Sequence, residues 1–532
     1  MKKNLLLTVL LFLGVLAVNA QPIYNAQGIE LKHTMTAEEA ELYKTVRMET
    51  QSTNPPTGDI RPIAEYEPME AVMIRYPFGI PFSLIKEMAK DIKVITIVQN
   101  ASQAATVLNQ YVSNQVDTSN CEFLYHATDS YWTRDYGPFF LAIDDSEVAI
   151  YDFTYNRPRY NDNQVNTALA QYLSVDRYAS TLQLTGGNYM NDGTSQAAST
   201  TLTYTENPSW THNQIAQHFE EYLGITDYHF LNDPLDDYIE HIDCWGKYLA
   251  PDKVMIGQVP PTDYRYQLYE SVANTFANMT SPYGTPMQVF RVYTPGNNQT
   301  TPYTNSLILN NKVFVPISGN SNDAAAIASY QAAMPGYQII GINYYGWENT
   351  DALHCRTHEI ADREMLYIKH QPLHDTVDSY GTVTISTDLY SYGNHTILAD
   401  SVIAYVRVPD GEYTGYNMTN TEGNTWSVNI SGLPNGELEY YIFAADDSGR
   451  RECHPYIGAP DPHPFILRYL STVPGDANGD SVVDITDITT TISYMMNGSA
   501  NPFIFENADV NSDGAVNVLD IILMVNIIFS SK

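Results

Sequence analysis

The chain has 532 residues, 44% of them hydrophobic, and a formal net charge of −34. One compact core rarely extends over this length, so about two to four domains are expected. The charge repels phosphate backbones and anionic lipid, which disfavours nucleic-acid and membrane-surface binding, and it attracts cations. Acidity that serves solubility alone explains the charge equally well.

Residues 1–20 predict a signal peptide. Lys2 and Lys3 form a basic start, an apolar run follows from Leu5 to Val18, and Asn19-Ala20 completes a small-residue cleavage site. A transmembrane anchor needs a longer apolar run, and no later stretch of the sequence supplies one. We therefore expect an exported protein, secreted or at the cell surface, without a membrane span.

Four cysteines, an even number, permit two disulfides in an exported chain. Their spacing is irregular, and domains of this size do not need such cross-links. We expect at least Cys355 to be a free thiol.

Residues 21–60 contain polar and proline-rich stretches and are interpreted as a lead-in segment. From 61 to 370, apolar strand-like runs alternate with helix-like runs, which predicts an α/β catalytic body. The strand-like runs are Ala71–Tyr76, Val94–Val98, Phe139–Ile143, Val254–Ile256 and Val313–Ile317, and the helix-like runs are Phe82–Lys90, Gln103–Val112, His212–Leu223, Tyr266–Phe276 and Asp323–Ala333.

Residues 371–470 have a different character. Short β-rich runs alternate with turn residues, and their spacing predicts an immunoglobulin-like β-sandwich of roughly 100 residues. The runs are Val383–Ser386, Val402–Val408, Thr425–Ile430 and Leu438–Ala444.

The tail, residues 475–532, contains an internal repeat that predicts two calcium loops. Oxygen-bearing side chains recur at loop positions that a hard Ca²⁺ ion requires, and each loop runs into an apolar helix-like segment. A merely solvated acidic tail does not explain the same spacing twice. The predicted ligands are Asp476, Asn478, Asp480, Asp484 and Asp487 in the first loop, and Asp509, Asn511, Asp513, Asn517 and Asp520 in the second.

Four segments of the α/β body together carry the chemistry of a guanidinium pocket. They are Tyr131–Pro138, Asn156–Arg159, Glu240–Trp245 and Leu353–His358. A guanidinium is a flat cation with five N–H donors, which carboxylates hold in a fixed orientation. Attack on its carbon needs a thiolate, and departure of ammonia needs a proton donor.

Asp135 and Asp243 are the candidate carboxylates, His241 the candidate acid and base, and Cys355 the candidate nucleophile. If His241-Ile242-Asp243 is a strand, both polar side chains point to one face. A bound cation or a protonated His241 would favour the Cys355 thiolate. Taken singly, these residues also fit a turn aspartate, a structural histidine and an inert core cysteine.

The segments Trp132–Pro138, Gly186–Asn188, His241–Asp243 and His354–Glu359 resemble those of the bacterial peptidylarginine deiminases and the related agmatine deiminases. The resemblance covers roughly residues 60–370. It implies a five-bladed α/β propeller, and hydrolysis of arginine side chains to citrulline and ammonia without a metal or organic cofactor. An immunoglobulin-like domain after the propeller is similar to the arrangement in the secreted bacterial enzyme.

The resemblance also assigns roles. Asp135 and Asp243 bind the guanidinium, Cys355 attacks it to form a covalent thiouronium, and His241 protonates ammonia and later activates water. The tail resembles type I dockerins, which dock a cohesin-like scaffold.

Asn156-Arg157-Pro158-Arg159 matches the pair of arginines that binds a substrate's terminal carboxylate in the peptide-directed member of the family. We therefore expect peptides or proteins with a C-terminal arginine as substrates. Arg157 and Arg159 in surface ion pairs are the alternative. Trp132 and Tyr238 are expected to flank the aliphatic stem of the substrate, or else simply to pack.

Other functions remain open at this stage. An agmatine deiminase-type amidinohydrolase does not need the arginine pair. A cell-surface or scaffold-docking protein without catalysis needs only the β domain and the tail. A zinc hydrolase could use His241 with Cys244, or His354 with His358 on one helix face. A cysteine peptidase could use Cys355 with His241.

Overall fold

The computed structural model describes residues 23–24, 30–45, 50–296 and 299–530. The predicted signal peptide lies outside these residues. The chain divides into two compact units. Of the described residues, the first unit comprises those up to Lys369 together with Leu389–Leu398 and Ala444–Asp461, and the second comprises His370–Asp388, Ala399–Phe443 and those from Pro462 onward.

The first unit contains a strand pattern that repeats in five small sheets of the described chain. In each sheet an antiparallel pair is followed by a strand that adds in parallel, and a helix connects the parallel neighbours. In sheet order the strands are His358–Ala361, Met69–Arg75, Lys93–Val98 and Cys121–Tyr125; Ile60–Pro62, Phe139–Ile143, Glu147–Tyr155 and Arg177–Leu184; Met190–Asn191, Gln196–Thr200 and Asp227–Leu231; Gly246–Ala250, Lys253–Gln258 and Gln288–Tyr293; and Leu307–Leu309, Lys312–Ile317 and Gln338–Asn343.

The helices confirm the predicted alternation, because every helix-like and strand-like run of the α/β body forms the element that its pattern indicated. Local signals set their ends. The helix His212–Leu223 begins in a capping box between Thr211 and Gln214 and ends at Gly224 in the left-handed conformation. The helices of this unit are Ala37–Thr45, Phe82–Met88, Ala101–Ser113, Thr133–Tyr136, Tyr160–Asn163, Val165–Leu173, Leu202–Thr205, His212–Leu223, Tyr266–Ala277 and Asp323–Ala333.

Shorter elements complete this unit. Four 3₁₀ turns interrupt the chain at Thr118–Asn120, Gly186–Asn188, Ile242–Cys244 and His354–Arg356. The remaining strands are Ile23–Tyr24, Glu30–Leu31, Leu366–Lys369 and Arg451–His454.

The second unit contains most of the predicted β-rich region, and the tail. All four strand-like runs form strands, in which apolar residues alternate with polar ones, as in the stretch Thr382–Ser391. The strands are Thr376–Ser379, Thr382–Ser391, Ile403–Arg407, Thr414–Asn417, Thr419–Glu422, Thr425–Ser431, Gly436–Ala445 and His463–Tyr469, with a 3₁₀ turn at Ala399–Ser401.

The tail forms the helices Ile485–Asn497, Phe505–Ala508 and Val518–Ser530. The two long helices contact each other, and Ala477, Ile488, Ala508 and Met524 form their small buried core. Both helix predictions for the tail are thus confirmed. Among the described residues of the whole chain, no helix has the length and hydropathy that crossing a membrane requires.

Candidate active site

The predicted site residues lie on short turns that meet in the first unit. The helix Thr133–Tyr136 contacts the turns Gly186–Asn188 and His354–Arg356, and the turn Gly186–Asn188 contacts Ile242–Cys244. Each of these four elements stands just before the first strand of an antiparallel pair. The repeated sheet pattern therefore brings together residues that are far apart in sequence.

Asp135, His241 and Asp243 converge on the backbone of Gly187. A Cβ atom on Gly187 would lie 2.6 Å from His241 Nδ1, 2.9 Å from Asp135 Oδ1 and 3.4 Å from Asp243 Oδ1. All three polar residues are buried. Asp135 Oδ1 and both ring nitrogens of His241 have no hydrogen-bond partner among the described residues. Buried polar atoms without partners are costly, so their concentration here points to a ligand that satisfies them.

Cys355 is fully buried beside this group. Its thiol donates to Asp243 Oδ2 at 3.8 Å, and its sulfur accepts from Asn305 Nδ2 at 3.2 Å. Asn305 Oδ1 accepts from the backbone N–H groups of His354 and Cys355, which fixes the turn against the amide. All four cysteines are free thiols, as expected for Cys355.

The electrostatics of the group favour the neutral thiol in the described structure. Burial and the neighbouring carboxylates, chiefly that of Asp243, raise the pKa of Cys355 to about 11. Burial also lowers the pKa of His241 to about 4, although Asp135 opposes the change. A protonated His241 therefore does not activate the cysteine in this state. A cation that enters between the carboxylates would favour the thiolate.

A chain of charged groups holds Asp243 from behind. Lys247 Nζ donates to Glu65 Oε2 at 2.6 Å, His354 Nε2 lies 2.9 Å from the same oxygen, and His354 Nδ1 lies 2.7 Å from Asp243 Oδ2. Burial raises the pKa of Asp243, but the hydrogen bond and charge of His354 outweigh it, so the pKa is lowered overall. Asp243 is therefore an oriented carboxylate.

Asp135 is the second ionised carboxylate. Burial raises the pKa of Asp135, but the charges of His33, His241 and Arg157 lower it by more, so that the pKa is about 2. Its Oδ1 lies 3.7 Å from His241 Nδ1, and its Oδ2 lies 2.7 Å from His33 Nε2. His33 comes from the lead-in segment, which the sequence did not connect with the site.

Arg157 and Arg159 are buried, unlike the surface pair considered above. Arg157 Nη1 lies 3.9 Å from Glu206 Oε1. Arg159 donates from Nε to Glu39 Oε1 at 2.8 Å and from Nη2 to the carbonyl oxygen of Lys32 at 2.6 Å. Two buried guanidinium groups beside a cation site need anions, and here one anion is Glu39 of the lead-in segment.

The two predicted aromatic flanks lie in different surroundings. Trp132 is buried and stacks on the His33 ring, with 5.0 Å between centroids. Tyr238 is 54% exposed, and its hydroxyl lies 3.0 Å from Thr350 Oγ1. Trp132 packs in one apolar cluster with Cys355.

Two local predictions about backbone geometry are wrong. His241 and Asp243 do not share a strand, since Ile242–Cys244 is a 3₁₀ turn with His241 at its start. His354 and His358 do not share a helix face, because His354 is in a 3₁₀ turn and His358 begins a strand. Their rings contact Asp243 and a backbone carbonyl instead, so this pair of the zinc alternative is not assembled.

His33, Asp135 and His241 place ligand-type atoms within 4.8 Å of one another, as do His33, Asp351 and Cys355. The closest approach in these groups, between His33 and Asp135, is a hydrogen bond of 2.7 Å. We interpret the first group as a hydrogen-bonded cation–carboxylate set.

The predicted calcium ligands form two loops with the same internal hydrogen bonds. Asp476 accepts from the N–H groups of Asp480 and Ser481, and Asp509 accepts from those of Asp513 and Gly514. In each loop the last aspartate likewise accepts from two backbone N–H groups. The repeat in sequence is thus a repeat in conformation, with carboxylates turned into each loop.

Sequence reasoning missed His33, Glu39, Asn305 and Asp351. Asn305 stands before the strand Leu307–Leu309, at the place that corresponds to the other site turns, but a lone asparagine carries no signal of its own. The lead-in residues had one readable signal. Thr36 and Glu39 form a capping box, which predicts an ordered helix start.

Comparison with known proteins now adds to this geometry. Residues 61–360 match the model of the Porphyromonas-type peptidyl-arginine deiminase family, and residues 474–529 match the dockerin type I domain. An Enterococcus faecalis protein, named provisionally as an agmatine deiminase, is 25% identical over 366 residues, which cover 58% of this chain and 98% of the relative.

Solved structures agree on the fold. The agmatine deiminase of Enterococcus faecalis has a TM-score of 0.51 at 21% identity, over 58% of this chain and all of its own. A Porphyromonas gingivalis protein, named provisionally as an arginine deiminase, has a TM-score of 0.50 at 19% identity, over 56% of this chain and 98% of its own.

These matches define the class as hydrolases that act on C–N bonds of amidines. The chain belongs to the Porphyromonas-type peptidyl-arginine deiminase family and carries a dockerin type I domain at its C-terminal end.

Proposed function

We propose that the protein is an exported peptidyl-arginine deiminase that converts a C-terminal arginine to citrulline. The observation that carries this proposal is the convergence of two buried carboxylates, Asp135 and Asp243, with His241 and Cys355 around Gly187. A guanidinium that enters this group satisfies the unpartnered atoms and supplies the positive charge that the thiol needs to ionise.

The proposed reaction has two stages. As Cys355 Sγ attacks the guanidinium carbon, the neutral His241 takes the proton of the thiol. The C–N bond to a terminal nitrogen then breaks, and ammonia leaves with that proton from His241. The resulting thiouronium is then attacked by water, His241 takes the water's proton, and the C–S bond breaks to release citrulline and the thiolate. Asp135 and Asp243 orient the cation throughout.

Arg157 and Arg159 support a substrate with a carboxylate. Arg159 binds a carboxylate of the chain itself, that of Glu39, in the described structure, and this contact supports the proposed role. A C-terminal arginine has both a guanidinium and a carboxylate, whereas agmatine lacks the second group. Trp132 is proposed to cover the aliphatic stem, and Tyr238 to form the outer wall.

An agmatine deiminase activity is the second candidate, because curated relatives and solved neighbours carry that name. The two candidates differ in what Arg159 does. A carboxylate-binding arginine favours the peptide, and an arginine that only pairs with Glu39 leaves agmatine as good a substrate.

For the architecture we propose that the five repeated sheets are the blades of an α/β propeller over residues 61–370. The position of one site residue before the first strand of each antiparallel pair supports this arrangement. We also propose that residues 371–470 form an immunoglobulin-like sandwich, which the alternating strands support.

For the tail we propose two structural Ca²⁺ ions, held by the five oxygen-bearing residues of each loop. The matched spacing, the matched conformation and the dockerin type I domain support it. In this proposal the dockerin attaches the exported enzyme to a cohesin-like scaffold.

Mass spectrometry of a peptide that ends in arginine tests the activity. Hydrolysis replaces an imine nitrogen with oxygen, so the proposal expects a gain of about one mass unit at unchanged peptide length. Cys355→Ala should abolish the gain and Cys121→Ala, which removes a thiol elsewhere, should retain it. Cleavage of the peptide, or mass gain with Cys355→Ala, contradicts the proposal. Agmatine at matched concentration separates the two candidates.

A further inference from the structure

The lead-in segment contributes an ordered piece of chain, residues 30–45, to the candidate active site. Leu31, His33 and Glu39 of this piece are buried. Leu31 packs with Tyr131, Trp132 and Cys355 in one apolar cluster. We propose that residues 30–45, the inhibitory segment, are an intramolecular ligand that imitates a carboxylate-bearing cationic substrate and blocks the site. The proposal rests on the function proposed above for this site.

The first half of the imitation is a cation. His33 Nε2 lies 2.7 Å from Asp135 Oδ2, its ring stacks on Trp132, and its edge meets the ring of His241. Its Nδ1 lies 2.9 Å from the carbonyl oxygen of Thr350, which fixes the ring plane. A protonated imidazole is a flat cation with N–H donors at its edge, like the guanidinium for which the carboxylates are suited.

The charge of His33 is favoured in this position. Burial lowers its pKa, but the carboxylates of Asp135 and Asp351 raise it by more, so the pKa lies above the ordinary value. The imidazole is also near the nucleophile, since ligand atoms of His33, Asp351 and Cys355 lie within 4.8 Å of one another. The ring therefore occupies space that a guanidinium would need.

The second half of the imitation is an anion. Glu39 Oε1 accepts from Arg159 Nε at 2.8 Å, and its Oε2 lies 3.3 Å from Arg159 Nη2. This two-point contact is the way an arginine binds a carboxylate with orientation as well as charge. In the proposed reaction the same arginine binds the carboxylate of the substrate.

Local structure holds the anion in place. Thr36 caps the helix Ala37–Thr45 by accepting from the N–H of Glu39, and Glu39 accepts from the N–H of Thr36. The carboxylate is thus fixed by its own backbone before it meets Arg159. Glu38, its neighbour, is exposed and serves as a matched control.

The inhibitory segment closes the site. With it in place, Cys355 and His241 have no exposed surface, and Asp135 is 1% exposed. A guanidinium reaches the thiol only after His33 leaves. A substrate with both a cation and a carboxylate competes for both contacts of the segment, whereas agmatine competes for one.

The test uses the full chain and a probe that needs no turnover. 2-Chloroacetamidine is an amidine that alkylates a thiol with loss of chloride, and mass spectrometry reports the rate at Cys355. His33→Ala and Glu39→Gln should each raise this rate at least about tenfold, the ratio that a site closed for nine-tenths of the time imposes. Lys32→Ala and Glu38→Gln, on exposed side chains of the same segment, should leave it unchanged.

A second measurement covers the case in which a variant folds poorly. A synthetic peptide of residues 30–45, added to the His33→Ala chain, should slow alkylation by competing with 2-chloroacetamidine for the site. The same peptide with Ala at the His33 position should not. Equal alkylation rates in the wild type and both segment variants, with no inhibition by the peptide, overturn the proposal.

The two proposals fail in different ways. If alkylation accelerates in His33→Ala but no arginine compound yields citrulline, the inhibitory segment stands and the deiminase function fails. If citrulline forms at equal rates in wild type, His33→Ala and Glu39→Gln, the function stands and the segment has no inhibitory role.

Discussion

The active site and the tail loops both gather carboxylates for a cation, but they use the chain in opposite ways. In the active site Cys355 and Asp243 are 112 positions apart, and both guanidinium-binding candidates, Asp135 and Asp243, are buried. In the first tail loop Asn478 and Asp487 are 9 positions apart, and the loop is largely exposed. A distributed, buried site depends on the whole fold for its geometry, whereas a local loop depends on its own sequence.

The largest effect should follow from the smallest change in the distributed site. Gly187→Ala places a methyl group 2.6 Å from His241 Nδ1 and 2.9 Å from Asp135 Oδ1, so both groups must shift. A displacement of about 1 Å in a catalytic group costs on the order of a hundredfold, so kcat/KM for citrulline formation should fall at least that far.

Gly246→Ala is the matched control, because its added methyl approaches the tip of the Ile256 side chain at 3.3 Å and otherwise makes ordinary contacts, with the Ile242 carbonyl oxygen at 3.6 Å and Met190 Cε at 3.7 Å. It should keep activity within a few-fold of wild type. Equal activity of Gly187→Ala and wild type, with the fold intact by circular dichroism, would remove Gly187 and its neighbours from the reaction.

The same contrast explains what the sequence could predict. The strand and helix runs were readable because each depends on a local period of apolar residues, and the tail loops because their ligands repeat at fixed spacing. The types of residue in the active site were readable as chemistry. The backbone conformation of these residues was not readable, since His241 and Asp243 alternate in sequence as in a strand, but the structure has a 3₁₀ turn that His241 precedes and Asp243 lies in.

Two features were beyond local reading. Asn305 has meaning only through its place before a repeated strand pair, which the fold defines. His33 has meaning only through Asp135, 102 positions away. The polar, proline-rich residues 21–60 were interpreted only as a lead-in segment, whereas the capping box of Thr36 and Glu39 and the burial of Leu31 give residues 30–45 an ordered structure.

The second prediction separates substrate recognition from inhibition at Arg159. Arg159→Ala removes the proposed partner of the substrate carboxylate and also that of Glu39. Release of the inhibitory segment affects all substrates, so the ratio of kcat/KM for a peptide ending in arginine to that for agmatine isolates recognition. Loss of a buried charge-assisted pair costs about 2 kcal/mol, so the ratio should fall about thirtyfold.

Arg291→Ala, which removes a half-buried arginine paired with Glu270, should leave the ratio unchanged. A ratio that stays constant in Arg159→Ala would instead favour the agmatine activity.

The third prediction concerns the local loops. Calorimetric titration should give two Ca²⁺ ions per chain, and Asp487→Ala should leave one, because each loop carries its own ligands. Chelation should lower the hydrogen-exchange protection of the helices Ile485–Asn497 and Val518–Ser530 while citrulline formation continues, since the proposed chemistry uses no metal.

Glu506→Gln, in the short helix between the loops, should keep both ions. Loss of citrulline formation on chelation would contradict the independence of the two sites.

The smallest expected effect is a pH dependence of the inhibitory segment. The groups that face His33 are Asp135, Asp351, His241, Arg157 and Cys355. The pKa of His33 is higher in the closed state than in free solution, so closure is fully favoured below its ordinary pKa and is lost as the pH rises through the raised value.

The ratio of kcat/KM in His33→Ala to that in wild type should therefore fall, by about threefold to tenfold, between about pH 6 and about pH 9. A ratio that is constant over this range, while the alkylation rates still differ between the two chains, would mean that packing of Leu31 and the Glu39 contact hold the segment, and that the charge of His33 does not.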